Sequence, residues 1–173
     1  MVLERFNDER SEAYRILADL YFRPPEHEIL KAITEDFGLS SKETYSEIIS
    51  DFFYLFPYPG GKLPPLESLF ISPAATGHLN PVTEFYVKAG LSIDEGFRIM
   101  PDHISLEFLF MSYLVDNNMP GLQKIFLEEH IMNWVPYYCK EVIKQAKTVF
   151  YREVGEITQN FIEGEYESFH KTP

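Results

Sequence analysis

Asp102-His-Ile-Ser-Leu-Glu-Phe-Leu-Phe-Met-Ser-Tyr-Leu-Val-Asp-Asn117 is the stretch whose reading decides the fold. Ile104, Phe108, Met111 and Val115 fall on one line of a 3.6-residue repeat, and Leu106, Leu109 and Tyr113 fall on the next. A helix that is apolar nearly all round is expected to be central and buried. Pro101 stands just before it, so the sequence predicts a start at Asp102, whose carboxylate suits an N-cap worth about 1 kcal/mol.

Working outward, the same periodicity recurs on both sides. Asn7 or Asp8 can cap a first helix carrying Ala13, Ile16, Leu17, Leu20 and Tyr21, which Pro24-Pro25 ends. Pro25 suits the first turn of a second helix with Ile29, Leu30, Ile33 and Phe37, closed by Gly38. Ser40 or Ser41 starts a third, in which Tyr45, Ile48, Ile49, Phe52, Phe53 and Phe56 make a broad apolar face. Six of the twelve prolines then fall between Pro57 and Pro81, with Gly60, Gly61 and Gly77, and exclude a regular helix over most of that span. Glu67-Ser-Leu-Phe70 can supply one helical turn inside this long loop. Asn80-Pro81 opens a fourth helix through Val82, Phe85, Tyr86 and Ala89, and a second irregular stretch runs from Leu91 to Pro101. Beyond the central helix, Gly121 to Met132, Pro136 to Ala146 and Thr148 to Phe169 read as three more. No β-alternation is visible, so the class expected is all-α: a single-domain helical bundle over residues 1–173, with a long Pro/Gly-rich loop between the third and fourth helices.

Composition narrows the function. A net charge of −12 and a pI near 4.8 argue against nucleic acid or an anionic membrane surface, and favour a basic ligand. No apolar run approaches the ~18 residues of a membrane span, and the N-terminus lacks a signal-type apolar core, so a soluble cytoplasmic protein is expected. Cys139 is the single cysteine, which excludes an internal disulfide and reads as a small buried residue. Fifteen Phe and eleven Tyr are expected mostly in the core, and a surplus of this size also leaves material for an apolar groove, two uses that composition alone does not separate.

Enzyme signatures are missing: there is no phosphate loop, dinucleotide fingerprint, zinc-protease helix or nucleophile elbow. Gly60-Gly61-Lys62 lacks the upstream strand and first glycine of a phosphate loop. Asp102, His103 and Glu107 form the nearest approach to a reactive cluster, since positions i and i+4 share a helix face and offer a metal one imidazole and one carboxylate. Against this stand an N-cap role for Asp102 and a backbone hydrogen bond for His103. His27, His78, His130 and His170 have no metal-ligand spacing and read as surface or satisfied core residues. Glu128-Glu129 and the acids Glu163, Glu165 and Glu167 read as solvated helix faces.

Taken in order, five segments resemble the TorD/DmsD/NarJ family of cytoplasmic chaperones for redox enzyme maturation. The helix ending Phe52-Phe-Tyr-Leu-Phe56 is followed by Pro64-Pro-Leu-Glu67-Ser-Leu-Phe70. Next comes Pro101-Asp102-His103-Ile-Ser-Leu-Glu107-Phe-Leu-Phe-Met111, then Phe126-Leu-Glu-Glu-His130-Ile-Met-Asn-Trp134-Val-Pro136, with Phe150-Tyr151 beyond. The resemblance covers most of the chain. It implies an all-α fold without catalytic residues, metal or cofactor of its own. It also implies binding of the twin-arginine leader, and the apo form, of the catalytic subunit of a molybdenum oxidoreductase, held until molybdopterin is inserted and export can follow. The family's Pro-Asp-His segment is linked to leader recognition, which carries over to Pro101, Asp102 and His103; Glu67, Phe70, Phe56 and Glu107 complete the expected peptide site. The chain departs from many relatives in having Arg98-Ile99-Met100, without an acid, before Pro101. A small metal-dependent enzyme built on Asp102, His103 and Glu107, or a generic helical adaptor, are the alternatives.

Overall fold

The computed structural model describes residues 2–71, 81–92, 94 and 99–171, with side chains from residue 9 onward. In chain order its helices are α1 (Val2–Phe22), α2 (His27–Asp36), α3 (Tyr45–Leu55), the single turn α4 (Glu67–Phe70), α5 (Val82–Lys88), α6 (Ile104–Asp116), α7 (Pro120–Phe126), a π turn (Leu127–Ile131), α8 (Met132–Gln145) and α9 (Val149–His170). Among the described residues there is no strand, only an isolated antiparallel bridge between Leu66 and His103. The all-α expectation is met. Residues 72–80 of the proline-rich loop, with Gly77, His78 and Asn80, and residue Arg98 lie outside the described residues.

The central stretch folds as α6, and Ile104, Phe108, Met111 and Leu114 are completely sealed. Helix α1 packs along it, and small polar side chains let the two approach. The Ser11 and Ser112 hydroxyls meet at 2.9 Å, and Ser105 Oγ donates to the Ala18 carbonyl at 2.7 Å. The second apolar line of α6 behaves otherwise. Leu109 is 45% exposed and Leu106 and Tyr113 are only half-buried. The expectation of burial all round is thus corrected: one face belongs to the core and the other walls a groove.

On its other side α1 meets α9. Arg10 donates from Nε and Nη2 to the two carboxylate oxygens of Glu165 at 2.8 and 2.6 Å, and Tyr14 OH donates to Glu165 at 3.1 Å. Further along, Tyr21 OH donates to Thr158 Oγ1 at 2.9 Å. Glu165 was expected to be solvated and is buried instead, because a bidentate guanidinium and a phenol replace its water. Cys139 is sealed as expected, and burial pushes its thiol up to about 12.

Helices α8 and α9 pack tightly at Gly155, where a Cβ would stand 3.0 Å from Ile143 Cγ1 and 3.3 Å from the Cys139 carbonyl. Gly155→Val is therefore expected to cost about 1–3 kcal/mol through forced separation of the two helices, read as a lower urea midpoint.

Several boundaries differ from expectation for local reasons. Helix α1 begins at Val2, before Asn7 and Asp8. Helix α2 begins at His27, with Glu26 rather than Pro25 at its start. Helix α3 is opened by Thr44 in a reciprocal capping box with Glu47, whereas the Ser40 backbone N–H donates to Glu153 of α9. The segments read as two helices after Gly121 are one continuous run from Pro120 to Gln145. Pro136 lies inside α8, just after the π turn, and the two interruptions of the α ladder share one stretch. Thr148 caps α9 by accepting from the Tyr151 N–H.

Candidate functional site

Pro101 to Ile104 is held against Pro65 to Ser68 by main-chain and side-chain hydrogen bonds. Glu67 N–H donates to the Asp102 carbonyl at 3.0 Å, and Ile104 N–H donates to the Pro65 carbonyl at 2.9 Å. Ser68 N–H donates to Asp102 Oδ2 at 2.9 Å, and Tyr86 OH from α5 donates to the Pro101 carbonyl at 2.8 Å. Asp102 therefore caps α4 rather than α6, which corrects the expectation drawn from its place in sequence. The residue that caps α6 is His103, whose Nδ1 accepts from Ser105 N–H at 3.1 Å. Prolines at 64, 65 and 101 fix φ on both sides of this clamp, Pro101 as the second residue of a turn closed by His103 N–H donating to the Met100 carbonyl at 3.0 Å.

Beneath the clamp lies a sealed polar layer. His130, delivered by the π turn, places Nδ1 2.9 and 3.1 Å from the two carboxylate oxygens of Glu67. Trp134 Nε1 donates to Glu107 Oε2 at 3.1 Å, while Glu107 Oε1 and His130 Nε2 are buried without a partner. Phe70 stacks on Trp134 with centroids 5.8 Å apart. Of the residues expected to form the peptide site, then, Pro101, Asp102 and His103 stand at the surface half-buried, while Glu67 and Glu107 turn inward and support them from below. Phe56 is also buried, in an aromatic cluster with Tyr21, Phe52 and Tyr151.

Burial, with the charge of Glu67 adding to it, holds Glu107 well above the ordinary carboxylate range. Such a group keeps in the fold a proton that it releases on unfolding, so its contribution becomes unfavourable as pH rises past the unfolded value near ~4.3. Glu107→Gln keeps an acceptor for Trp134 and has no proton to lose. It is expected to raise the melting temperature at pH 7 and to leave it nearly unchanged at pH 4.

His103 is also shifted. Burial lowers it to about 4, against a smaller opposing effect of Asp102, so its ring is neutral at pH 7. Asp102, His103 and Glu107 thus each serve a separate partner. Among the described residues no group of three or more His, Cys, Asp or Glu is gathered to hold a metal.

The ring of His103 lines a depression of about 310 Å³ walled by Phe22 of α1, Phe52, Phe53 and Phe56 of the α3 region, Tyr58 and Met100. Phe22 and Ile99 also border a second depression, of about 150 Å³, that reaches Leu106 and Leu109. Those two leucines wall a third, of about 330 Å³, with Tyr86, Leu91, Phe110 and Tyr113. The first and second share Phe22 and Ile99 and the second and third share Leu106 and Leu109, so the three depressions adjoin in a row beside the clamp. Phe22, Phe53, Tyr58, Met100 and Leu109 are each 45 to 59% exposed along it. Sequence reasoning assigned Phe53 and Leu109 to the core and passed over Phe22, Tyr58 and Met100. The aromatic surplus was the only signal that pointed to them.

Fold and site together define an all-α protein with a row of adjoining, mainly apolar depressions beside a clamped Pro-Asp-His segment. The family described as nitrate reductase delta subunit matches residues 21–140, well over half of the chain, and the chain belongs to that family. It is also similar to the probable Tat proofreading chaperone DmsD of Haemophilus influenzae, 26% identical over 125 residues, which cover 70% of this chain and 61% of the relative. The match thus spans less than two thirds of the relative's length. Among the described residues no helix is long and apolar enough to cross a membrane.

Proposed function

We propose that this protein is a cytoplasmic maturation chaperone. It binds the twin-arginine leader and the apo form of a molybdopterin-containing oxidoreductase subunit, assists cofactor insertion and delays export, without catalysis of its own. The observation that carries this reading is the row of adjoining, mainly apolar depressions, one of which is lined by His103, the neighbour of Asp102. A leader of this type joins two arginines to an apolar stretch. The apolar stretch fits the groove, and burial of its side chains there supplies affinity at about 25 cal/mol per Å² before ordering costs are met. The arginines suit an acidic protein, net charge −12, and Asp102 in particular. One oxygen of its carboxylate is taken by Ser68, leaving the other toward a guanidinium. Pro101, Asp102, His103 and Phe70 form the peptide-side set in this reading, with Phe56, Glu67 and Glu107 holding them in place. Family membership and the name of the relative support the same assignment.

The test is a calorimetric titration with synthetic twin-arginine leaders of molybdenum oxidoreductases. Micromolar binding, about −8 kcal/mol, is expected to at least one. Phe53→Ser combined with Leu109→Ser, both exposed in the free protein, should reduce it tenfold or more without lowering the melting temperature. Equal affinity of that variant would remove the groove from the binding site.

A further inference from the structure

We propose that His103 serves the bound peptide as a neutral N–H donor, giving a hydrogen bond from Nε2 to a main-chain carbonyl of the peptide's apolar segment. This deepens the leader-binding reading above and rests on it.

The tautomer is fixed by the fold. Nδ1 is occupied as acceptor of the Ser105 N–H, so the single proton of the neutral ring stands on Nε2. The shift of His103 to about 4 keeps that state throughout the neutral range. Nε2 has no partner among the described residues. Nor is it one of the sealed, unpartnered side-chain atoms among them, which are Asp51 Oδ1, Glu107 Oε1, His130 Nε2 and Tyr151 OH. It is therefore accessible to solvent, on a ring that lines the depression. The edge-on ring of Phe22, 6.3 Å away at 84°, stands beside it on the same wall. An N–H at an apolar wall makes a stronger hydrogen bond than in water, and leaves a larger deficit when unmatched.

The chemistry of the acceptor follows. A guanidinium has five donors and no acceptor, so it cannot receive this bond, and the arginines fall to Asp102. Carbonyls inside a helix already accept from residue i+4, whereas those of an extended segment or of a helix's last turn remain open. His103 therefore selects a peptide that is extended, or ends a helix, where it crosses the Pro101–His103 clamp. Asp102 and His103 divide the work: charge is read by one, backbone by its neighbour.

Two measurements test this. In the free protein, long-range proton–nitrogen NMR at pH 7 is expected to show His103 protonated on Nε2 and bare on Nδ1. A ring protonated on Nδ1, or an imidazolium, would overturn the proposal whatever the leader does. In the complex, a leader carrying one ester linkage at a time through its apolar stretch is titrated against wild type and His103→Phe. One ester position is expected to weaken wild-type binding about tenfold and to have no effect on His103→Phe, whose aromatic ring keeps the groove wall. His103→Gln, which restores a neutral donor, should recover part of the sensitivity. Equal ester profiles in wild type and His103→Phe would overturn the donor role while leaving leader binding intact. Failure of wild type to bind any leader would overturn the functional reading itself, and the donor role with it.

Discussion

Replacing Asp102 and His103 together by alanine is expected to weaken binding of a twin-arginine leader roughly a hundredfold while the helical content is retained. A charge-assisted contact to a guanidinium contributes about 1.5–3 kcal/mol and a neutral hydrogen bond about 1 kcal/mol. Their sum, about 3 kcal/mol, is roughly two decades in Kd. The alanine at position 102 also removes the acceptor for Ser68 N–H, so loosening of α4 would contribute to the loss. Asp102→Asn separates the two effects, since an amide oxygen can still accept from Ser68 but carries no charge. It should lose about tenfold, more at low salt than at high, because exposed charge pairs are screened. Full affinity in Asp102→Asn would show that the arginines are read elsewhere on the acidic surface.

The largest effect on stability is expected from Asp51→Ala. Asp51 Oδ2 alone accepts from Lys147 N–H at 3.0 Å, Thr148 N–H at 2.8 Å and Thr148 Oγ1 at 2.7 Å. It ties α3 to the entry of α9, and both Asp51 and Thr148 are buried. Alanine leaves these donors without an acceptor in a dry region, for a loss of about 3–4 kcal/mol. Urea unfolding should show a lower midpoint with unchanged slope. Asp51→Asn keeps one acceptor oxygen and should restore most of the difference. If alanine were as stable as wild type, water would have to enter the α3–α9 joint and take over the role of Oδ2.

Glu67 and Glu107 illustrate why a set of site residues drawn from sequence differs from a site. Both fall in the segments that carry the family resemblance, and both are acids in a protein read as binding a basic peptide. Nothing local marks them as inward-facing. Their partners, His130 and Trp134, stand 63 and 27 residues away, and only folding brings them together. Asp102 makes the same point at shorter range. Its place after Pro101 and before an apolar run matches an N-cap, but the clamp turns its carboxylate toward Ser68, and His103 takes over the cap.

By itself the sequence determined the all-α class, the existence of most helices, the single turn at Glu67 to Phe70 and the central place of residues 104–116. It also carried the acidic charge and the aromatic surplus. These follow from the spacing of apolar residues and from proline and glycine, which act within a few residues of themselves. The tertiary structure alone decided which apolar line of α6 joins the core and which walls the groove, since a leucine reads the same whether it faces another helix or an open channel. It alone fused the run from Pro120 to Gln145 through a π turn, buried Glu165 against Arg10, and set Glu67 on His130. Those outcomes depend on desolvation and on partners distant in the chain, which no local pattern contains.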